Sequence, residues 1–394
     1  MVNGNEKIIR SKQIELIHEF KRLCFKHNLT FYAMYGTLLG AYRHQGYIPW
    51  DDDIDFTMPR SDFEKLKSIP KEEYVEDFFL QTPNNEPDFY IGGAIRLRHC
   101  KTTGYEFIHF GHSFNAGIWI DITAIDSTSS SKIFQYIQLK MIRYYQRLKF
   151  ASIYYCKKEG FLDMNHIQML FYRALSKKYL ADKINQKFDK WCRKYERKVT
   201  KKVAIFTQYC NYQQQVIDAN IFRDVRVLPF ENILLPCPVE TKKCLEIIYG
   251  PEYMKLPDKN GRIKMHTGYF NTNLRESEFV NRFTNGYLSR KYKGIILFGT
   301  GKMFEEYMDK YGQEYMPIFA VDNNEENWNK KKMGIAIMSP DMLKNYNSDK
   351  FAIVICTAHF DTISDQLNDF GIHNYYVFIQ NKEWIIDKLI NMSM

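Results

Sequence analysis

The hydrophobic pattern changes character several times along the chain. From Ile8 to His27, the residues Ile9, Ile14, Ile17, Phe20, Leu23 and Cys24 recur at helical spacing with charges between them, which predicts an amphipathic packing helix. Short β-type runs follow. Phe31–Tyr35 (FYAMY) predicts a strand broken at Gly36-Thr37, and Leu38–Arg43 suits a short helix. Asp53-Ile54-Asp55-Phe56 alternates polar and apolar, and Tyr90–His99 and Gly117–Ile122 carry further strand patterns. Residues 132–202 read as helical, with aromatic residues throughout. Extended pieces around Pro229 and Leu235 lead to a helix over Glu240–Tyr249, stopped by Gly250-Pro251.

Beyond residue 289 strands and helices alternate. Gly294–Phe298 enters a Gly299-Thr300-Gly301 loop, then come a helix over Lys302–Tyr311, strands over Ile318–Val321 and Phe351–Cys356, a helix near Thr362–Phe370 and a strand over Tyr375–Ile379. This order predicts a small Rossmann-like parallel α/β domain at 289–394, behind a larger α/β catalytic domain at 1–288. A length of 394 residues suits two domains.

Charge divides the chain differently. Residues 132–202 hold 19 Lys/Arg against 5 Asp/Glu, a surplus of +14 in a chain whose total is +9, so the remainder is net acidic. Basic helices with an aromatic face suit an anionic membrane surface or a groove for an acidic polymer, and equally a helical layer with solvated lysines. No nucleic-acid module is recognisable, so no nucleic-acid partner is expected. The eight cysteines show no CxxC pair and no regular spacing, which argues against zinc and against a disulfide framework, and for a reducing compartment. No secretory signal and no spanning segment is visible. The expected place is the cytoplasm, with peripheral contact at the inner face of the cell membrane.

The chemistry concentrates between Tyr35 and Met58. Asp51, Asp52, Asp53 and Asp55 crowd four carboxylates into five positions against an apolar run. Like charges this close raise each other's pKa, and a divalent cation is the common remedy. On a strand, Asp53 and Asp55 share one face and suit a metal pair of ligands. Asp51 reads as a solvated turn residue, and Asp52 is evenly divided between turn and site. Asp121, alone in an apolar β run, is the candidate third acid; capping of a strand end is its alternative, and Asp126 fits capping better. Gly36-Thr37, between strand and helix, suits a phosphate at a helix N-terminus. Arg96 and Arg98 share a face, either to hold phosphate oxygens or as an exposed edge pair. Arg262, Lys264 and His266 form a basic loop. In the C-terminal domain Gly299 and Gly301 stand where a dinucleotide fingerprint needs them, but Phe304 occupies the third glycine position, so no redox cofactor is expected. Nucleotide or sugar-nucleotide binding and a purely structural role both remain open there.

The stretch YGTLLGAYRHQGYIPWDDDIDFTMPRSDFEKL closely resembles the opening motif of the LicD/fukutin-like phosphotransferases, in the nucleotidyltransferase-fold superfamily. AIRLRHCKTTG, IDITAIDS and YGPEYMKLP follow in the family's order, so that most of residues 1–270 is covered and the basic helical region is least matched. The family's arginine–aspartate–serine–asparagine–threonine run is here Arg98-His99-Cys100-Lys101-Thr102. The resemblance implies an α+β mixed sheet with added helices. It implies transfer of phosphocholine, ribitol phosphate or glycerol phosphate from a CDP-activated donor to a hydroxyl of a glycan or lipid-linked glycan. It implies Mg²⁺ or Mn²⁺ at Asp53, Asp55 and Asp121, which are also the catalytic residues, and donor phosphates at Gly36 and Thr37. Arg98 and Arg43 are the candidates to hold phosphate oxygens, and His266 is a further substrate-binding candidate. A nucleotidyltransferase, a glycosyltransferase with an Asp-x-Asp metal site, and a non-catalytic membrane-surface scaffold in polysaccharide assembly are the competing readings.

Overall fold

Helical spacing places Leu16, Ile17, Phe20 and Leu23 on one stripe of the first helix, and all four are fully buried against one face of a mixed sheet. Each such side chain contributes about 1.5–3 kcal/mol by leaving water, so a single truncation such as Phe20→Ala would loosen the helix from the sheet. The computed structural model describes residues 4–378, apart from 87–88, 90–91, 107–113, 154–163, 165, 180, 199, 207–215, 259–267, 274, 276, 278–293, 314, 347, 349, 358 and 374. The chain divides into two units, Met1–Glu278 and Phe279–Met394.

In the first unit, α1 (Gly4–Lys26) precedes β1 (Tyr32–Ala33), α2 (Tyr35–Arg43), β2 (Asp55–Pro59), α3 (Arg60–Ser68), β3 (Phe78–Gln81), β4 (Ile95–His99), β5 (Thr103–Glu106) and β6 (Ile118–Thr128). Three helices follow, α4 (Lys132–Ile153), α5 (His166–Ser176) and α6 (Ala181–Cys192). Then come β7 (Lys202–Ala204), β8 (Val216–Asp218), β9 (Val225–Phe230), β10 (Ile233–Pro238), α7 (Thr241–Tyr249) and β11 (Gly268–Asn271). The main sheet runs β1-β2-β6-β4-β3, with β7 on β6 and β8 on β7. The β2–β6 pair is parallel and the other pairs are antiparallel.

Register sorts the two faces. Phe56, Ile122 and Ile95 are partners in one row, and this row, with Leu97 and Ile120 beside it, belongs to the apolar core that α1 covers. One residue over, Gln81, Arg96, Asp121 and Asp55 are successive partners across β3, β4, β6 and β2. Side chains alternate faces along a strand, so this polar row stands on the opposite side. The long strand β6 thus supplies core on one face and chemistry on the other.

Several local expectations shift. The strand expected over Phe31–Tyr35 keeps only Tyr32–Ala33, because the chain turns at Tyr35, whose φ is +48°, directly into α2. Gly36 and Thr37 therefore lie in the first turn of that helix. Asp53 precedes β2 rather than sitting on it. Asp126, read as a capping residue, is buried inside β6, where Arg60 Nε and an Nη hydrogen-bond its two oxygens at 2.7 and 2.6 Å.

The second unit contains β12 (Gly294–Phe298), α8 (Lys302–Tyr311), β13 (Phe319–Val321), β14 (Lys331–Lys332), β15 (Ile335–Met338), β16 (Phe351–Ile355), α9 (Phe360–Asp369) and β17 (Tyr376–Val377). Its sheet order is β14-β15-β13-β12-β16-β17, parallel except at the β14–β15 edge. The order reverses between β12 and β16, where the glycine turn stands. Gly299 there has φ +96°, a conformation that favours glycine. Thr300 directs both its N–H and its hydroxyl to the carboxylate of Asp322, at the end of β13. The acid that a dinucleotide site would offer to a ribose is thus spent on the turn itself.

Candidate active site

The acid loop is held from three sides. Arg10 of α1 donates to the carbonyls of Ile48, Pro49 and Asp51 at 3.2, 3.2 and 3.0 Å, and its guanidinium lies 4.6 Å from the centre of the Tyr47 ring. Gln13, one turn further along α1, donates to the Asp52 carbonyl at 2.9 Å. At the exit, the Asp55 N–H donates to Thr37 Oγ1 at 2.9 Å, and Met34 N–H donates to the Asp55 carbonyl at 3.0 Å. These bonds tie the loop's backbone to α1 and to the start of α2, so its carboxylates are turned inward rather than left to swing. The helix read as a packing element therefore also positions the acids.

Asp51, Asp52 and Asp53 each offer a carboxylate oxygen within 4.8 Å of the others, and among the described residues this is the one group of three or more acids, histidines or cysteines so converged. The Asp51 carboxylate sits against Gly36 at the N-terminus of α2, where an added Cβ would lie 2.2 Å from Oδ2. The glycine expected to admit a phosphate admits this carboxylate. Burial pushes the Asp51 carboxyl up to about 8, reinforced by the charge of Asp53, its hydrogen bond with Asp53 and the charge of Asp52. The turn residue of the sequence reading is thus a desolvated acid.

Asp55 and Asp121 are register partners on the parallel strands β2 and β6, which places their backbones about 4.8 Å apart. Asp121 Oδ1 accepts from Arg96 Nε at 2.7 Å, and Oδ2 accepts from an Arg96 Nη at 3.4 Å and from Trp119 Nε1 at 3.2 Å. The Arg96 guanidinium lies 4.2 Å from the Trp119 ring centre. What meets the lone strand acid is therefore a stacked guanidinium. Oδ1, with one donor, retains a further lone pair for a ligand, while Oδ2 already accepts two bonds.

The two arginines of β4 part company. Arg96 joins the acid row. Arg98 is completely buried, donating to Gln81 Oε1 at 2.6 Å and to the Gly117 carbonyl at 2.7 Å, with Trp119, Phe89 and Phe114 around its guanidinium. Its expected place on donor phosphate is taken by this internal network. Arg43, at the end of α2, spends its guanidinium on the carbonyls of Tyr253 at 2.7 Å and Lys255 at 3.2 Å. It ties α2 to the loop after α7 rather than facing the acids. His99, where the family pattern has an acid, points to the α1 face and meets Glu15 Oε2 at 3.0 Å. His266 lies outside the described residues. The site residues missed by pattern reading are Asp51, Arg10 and Gln13. Only the run of four aspartates hinted at the first, and nothing in the sequence links α1 to the loop.

The donor set suits a divalent cation. Three converged carboxylates form an all-oxygen group, and the Asp51 carboxyl is pushed up by burial first and then by the charges of Asp53 and Asp52. Hard cations such as Mg²⁺ and Mn²⁺ take such ligands.

Residues 28–155 match the family model described as LicD/FKTN/FKRP, nucleotidyltransferase domain, and residues 291–378 match one described as C2185-like, N-terminal. Over 255 residues the chain is 26% identical to the lipopolysaccharide cholinephosphotransferase LicD of Haemophilus influenzae, covering 64% of this chain and 92% of that protein. It is also 42% identical over 55 residues to an uncharacterized protein of Rickettsia prowazekii, covering 14% of this chain and 21% of that protein. An uncharacterized protein of Rickettsia typhi is 44% identical over 48 residues, covering 12% and 16%.

Proposed function

Because the chain belongs to the LicD/fukutin-like phosphotransferase family through residues 28–155, we propose that it transfers a phosphorylated alcohol from a CDP-activated donor to a hydroxyl of a cell-surface glycan or its lipid-linked precursor. Phosphocholine is the first candidate cargo, since the relative matched over 92% of its length carries a cholinephosphotransferase name; ribitol phosphate and glycerol phosphate are the others. The observation that carries the reading is the acid cluster at the start of α2, adjoining the Gln81–Arg96–Asp121–Asp55 row.

Asp51, Asp53 and Asp55 would hold Mg²⁺ or Mn²⁺, with Asp52 at the rim and Asp121 on the neighbouring strand. When bound, the ion neutralises charge on the transferred phosphate and on the departing CMP. Asp121, its orientation fixed by Arg96 and Trp119, accepts the proton of the attacking sugar hydroxyl. Arg96, hydrogen-bonded to Asp121, would meet the reacting phosphate, with Arg98 as the internal support of the strand that carries it. The first unit takes the role of a nucleotidyltransferase-type catalytic domain, and the second that of a Rossmann-like accessory.

The test is to supply CDP-choline, CDP-ribitol and CDP-glycerol with Mg²⁺ and candidate acceptors, and to follow CMP. CMP released with one donor, and abolished by Asp53→Asn, is the expected result. Pyrophosphate released from a nucleoside triphosphate instead would make the chain a nucleotidyltransferase, and no turnover with any donor would remove the phosphotransfer reading.

A further inference from the structure

The first turns of α4 are inside out. Gln135 and Gln138 are buried while their neighbours Ile133, Phe134 and Ile137 are exposed. Hydrogen bonds fix this orientation: Gln138 Nε2 donates to the Trp191 carbonyl at 2.9 Å, its Oε1 accepts from Thr128 Oγ1 at 2.7 Å, and Gln135 Nε2 donates to the Ser129 carbonyl at 2.6 Å. A helix whose outer face meets water carries the opposite pattern.

Helix α5 differs in being apolar on both sides. Its buried side, with Met169 and Ser176, packs on α4, bringing Tyr172 to a ring distance of 5.8 Å from Tyr144. Its other side repeats at i, i+3, i+4 and i+7 with Ile167, Leu170, Phe171 and Ala174, all exposed; the first three expose 77%, 45% and 60% of their surface. One further turn along that stripe stand Lys177 and Lys178, also exposed. Together α4 and α5 contain no Asp or Glu, and of their six Lys/Arg Lys132 and Lys140 are exposed, three arginines are half-buried and Lys149 is buried. Lys140, exposed on α4, lies 5.1 Å from the Tyr136 ring. No helix among the described residues is long and apolar enough to cross a membrane.

We propose that α4 and α5 dock on the surface of an anionic lipid bilayer, inserting Ile133, Phe134, Ile137, Ile167, Leu170 and Phe171 among the acyl chains while the exposed Lys132, Lys140, Lys177 and Lys178 meet the headgroups. The chemistry selects this occupant. A second copy of an acid-free basic face would set like charges against each other. An anionic bilayer supplies both the apolar medium that the exposed side chains lack and the counter-charge for the basic residues.

The full chain is tested by co-sedimentation with vesicles of phosphatidylglycerol and phosphatidylcholine, and with vesicles of phosphatidylcholine alone. Binding to the anionic vesicles is expected to fall by about tenfold or more in Ile167→Ser/Leu170→Ser/Phe171→Ser, and also in Lys177→Glu/Lys178→Glu, which leaves the apolar stripe intact. Release by added salt is the expected companion result. The proposal is overturned if the native chain stays with the supernatant, if it binds the neutral vesicles equally well, or if both variants bind as the native chain does. Gel filtration adds a further decisive outcome. A native dimer that the serine variant dissolves, without vesicle binding, would assign the face to a second copy and overturn the lipid assignment.

Discussion

Gly36 and Asp51 occupy one another's space: the glycine at the start of α2 leaves the room in which the Asp51 carboxylate sits, and a Cβ there would stand 2.2 Å from Oδ2. Asp51 is the end of a short side chain, so it can swing away, but only by leaving its hydrogen bond with Asp53 and its buried position. Gly36→Ala should therefore cost about 1–3 kcal/mol of stability, as overpacking does. Turnover should fall by about a hundredfold, because the cluster loses its alignment. Thermal unfolding and CMP release, measured on the same sample, check both; wild-type turnover in Gly36→Ala would show that Asp51 is not needed where it sits.

The acid cluster predicts an exchange of stability for function. The Asp51 carboxyl, pushed up to about 8, stays protonated or repelled in the folded chain and ionises freely only on unfolding. Asp51→Asn removes that cost and Asp53→Asn removes the charge beside it, so each variant should unfold at a higher temperature than the native chain in EDTA at neutral pH. With Mg²⁺ at 100 times its dissociation constant the native chain should gain about 2.7 kcal/mol, and the variants little of that. Thermal melts with EDTA and with Mg²⁺ read both differences. Equal shifts in native and variant chains would remove the cluster from the metal site.

The Arg96–Asp121 pair is mostly buried, with side chains 6% and 14% exposed. Arg96→Ala should destabilise the fold by about 3–5 kcal/mol, the usual cost of stranding a buried charge. Arg96→Lys should restore part of the stability but not the turnover, since an ammonium cannot hold both carboxylate oxygens or stack on Trp119 in the same way. Melting temperature and initial rate on the two variants separate these effects.

His99 gives the fold a pH dependence away from the site. Burial lowers its pKa below the ordinary 6.5, although the hydrogen bond and charge of Glu15 work the other way. The unfolded chain then binds a proton more readily than the folded one. This contribution is fully present above pH 6.5 and is lost as the pH falls through the lowered folded value. Melting temperature should fall on acidification below pH 6.5, and His99→Gln should flatten that slope. An unchanged slope in the variant would assign the dependence to other groups.

Much of this was legible in the chain itself. The 3.6-residue spacing of α1, the helix over Lys302–Tyr311 and the stop at Gly250, whose φ is +83°, are local matters. They depend on side-chain period and on glycine's freedom. The aspartate run announced the chemistry for the same reason: adjacent charges interact whatever the fold. The pairing of Asp121 with Arg96 was not legible, because 25 residues separate them and only the β4–β6 register brings them together. Nor was Arg10, whose grip on the loop spans 41 residues.

The sequence by itself determined that α1 is amphipathic, that the acids cluster, and that the basic helices carry the positive charge. Each follows from residue type and spacing within one segment. The tertiary structure decided which acids converge, that Arg98 is buried while Arg96 meets Asp121, and that glutamines rather than isoleucines face inward on α4. Those outcomes depend on strand register and on hydrogen-bond partners supplied from other segments. A polar residue goes inside only where a distant part of the chain satisfies it.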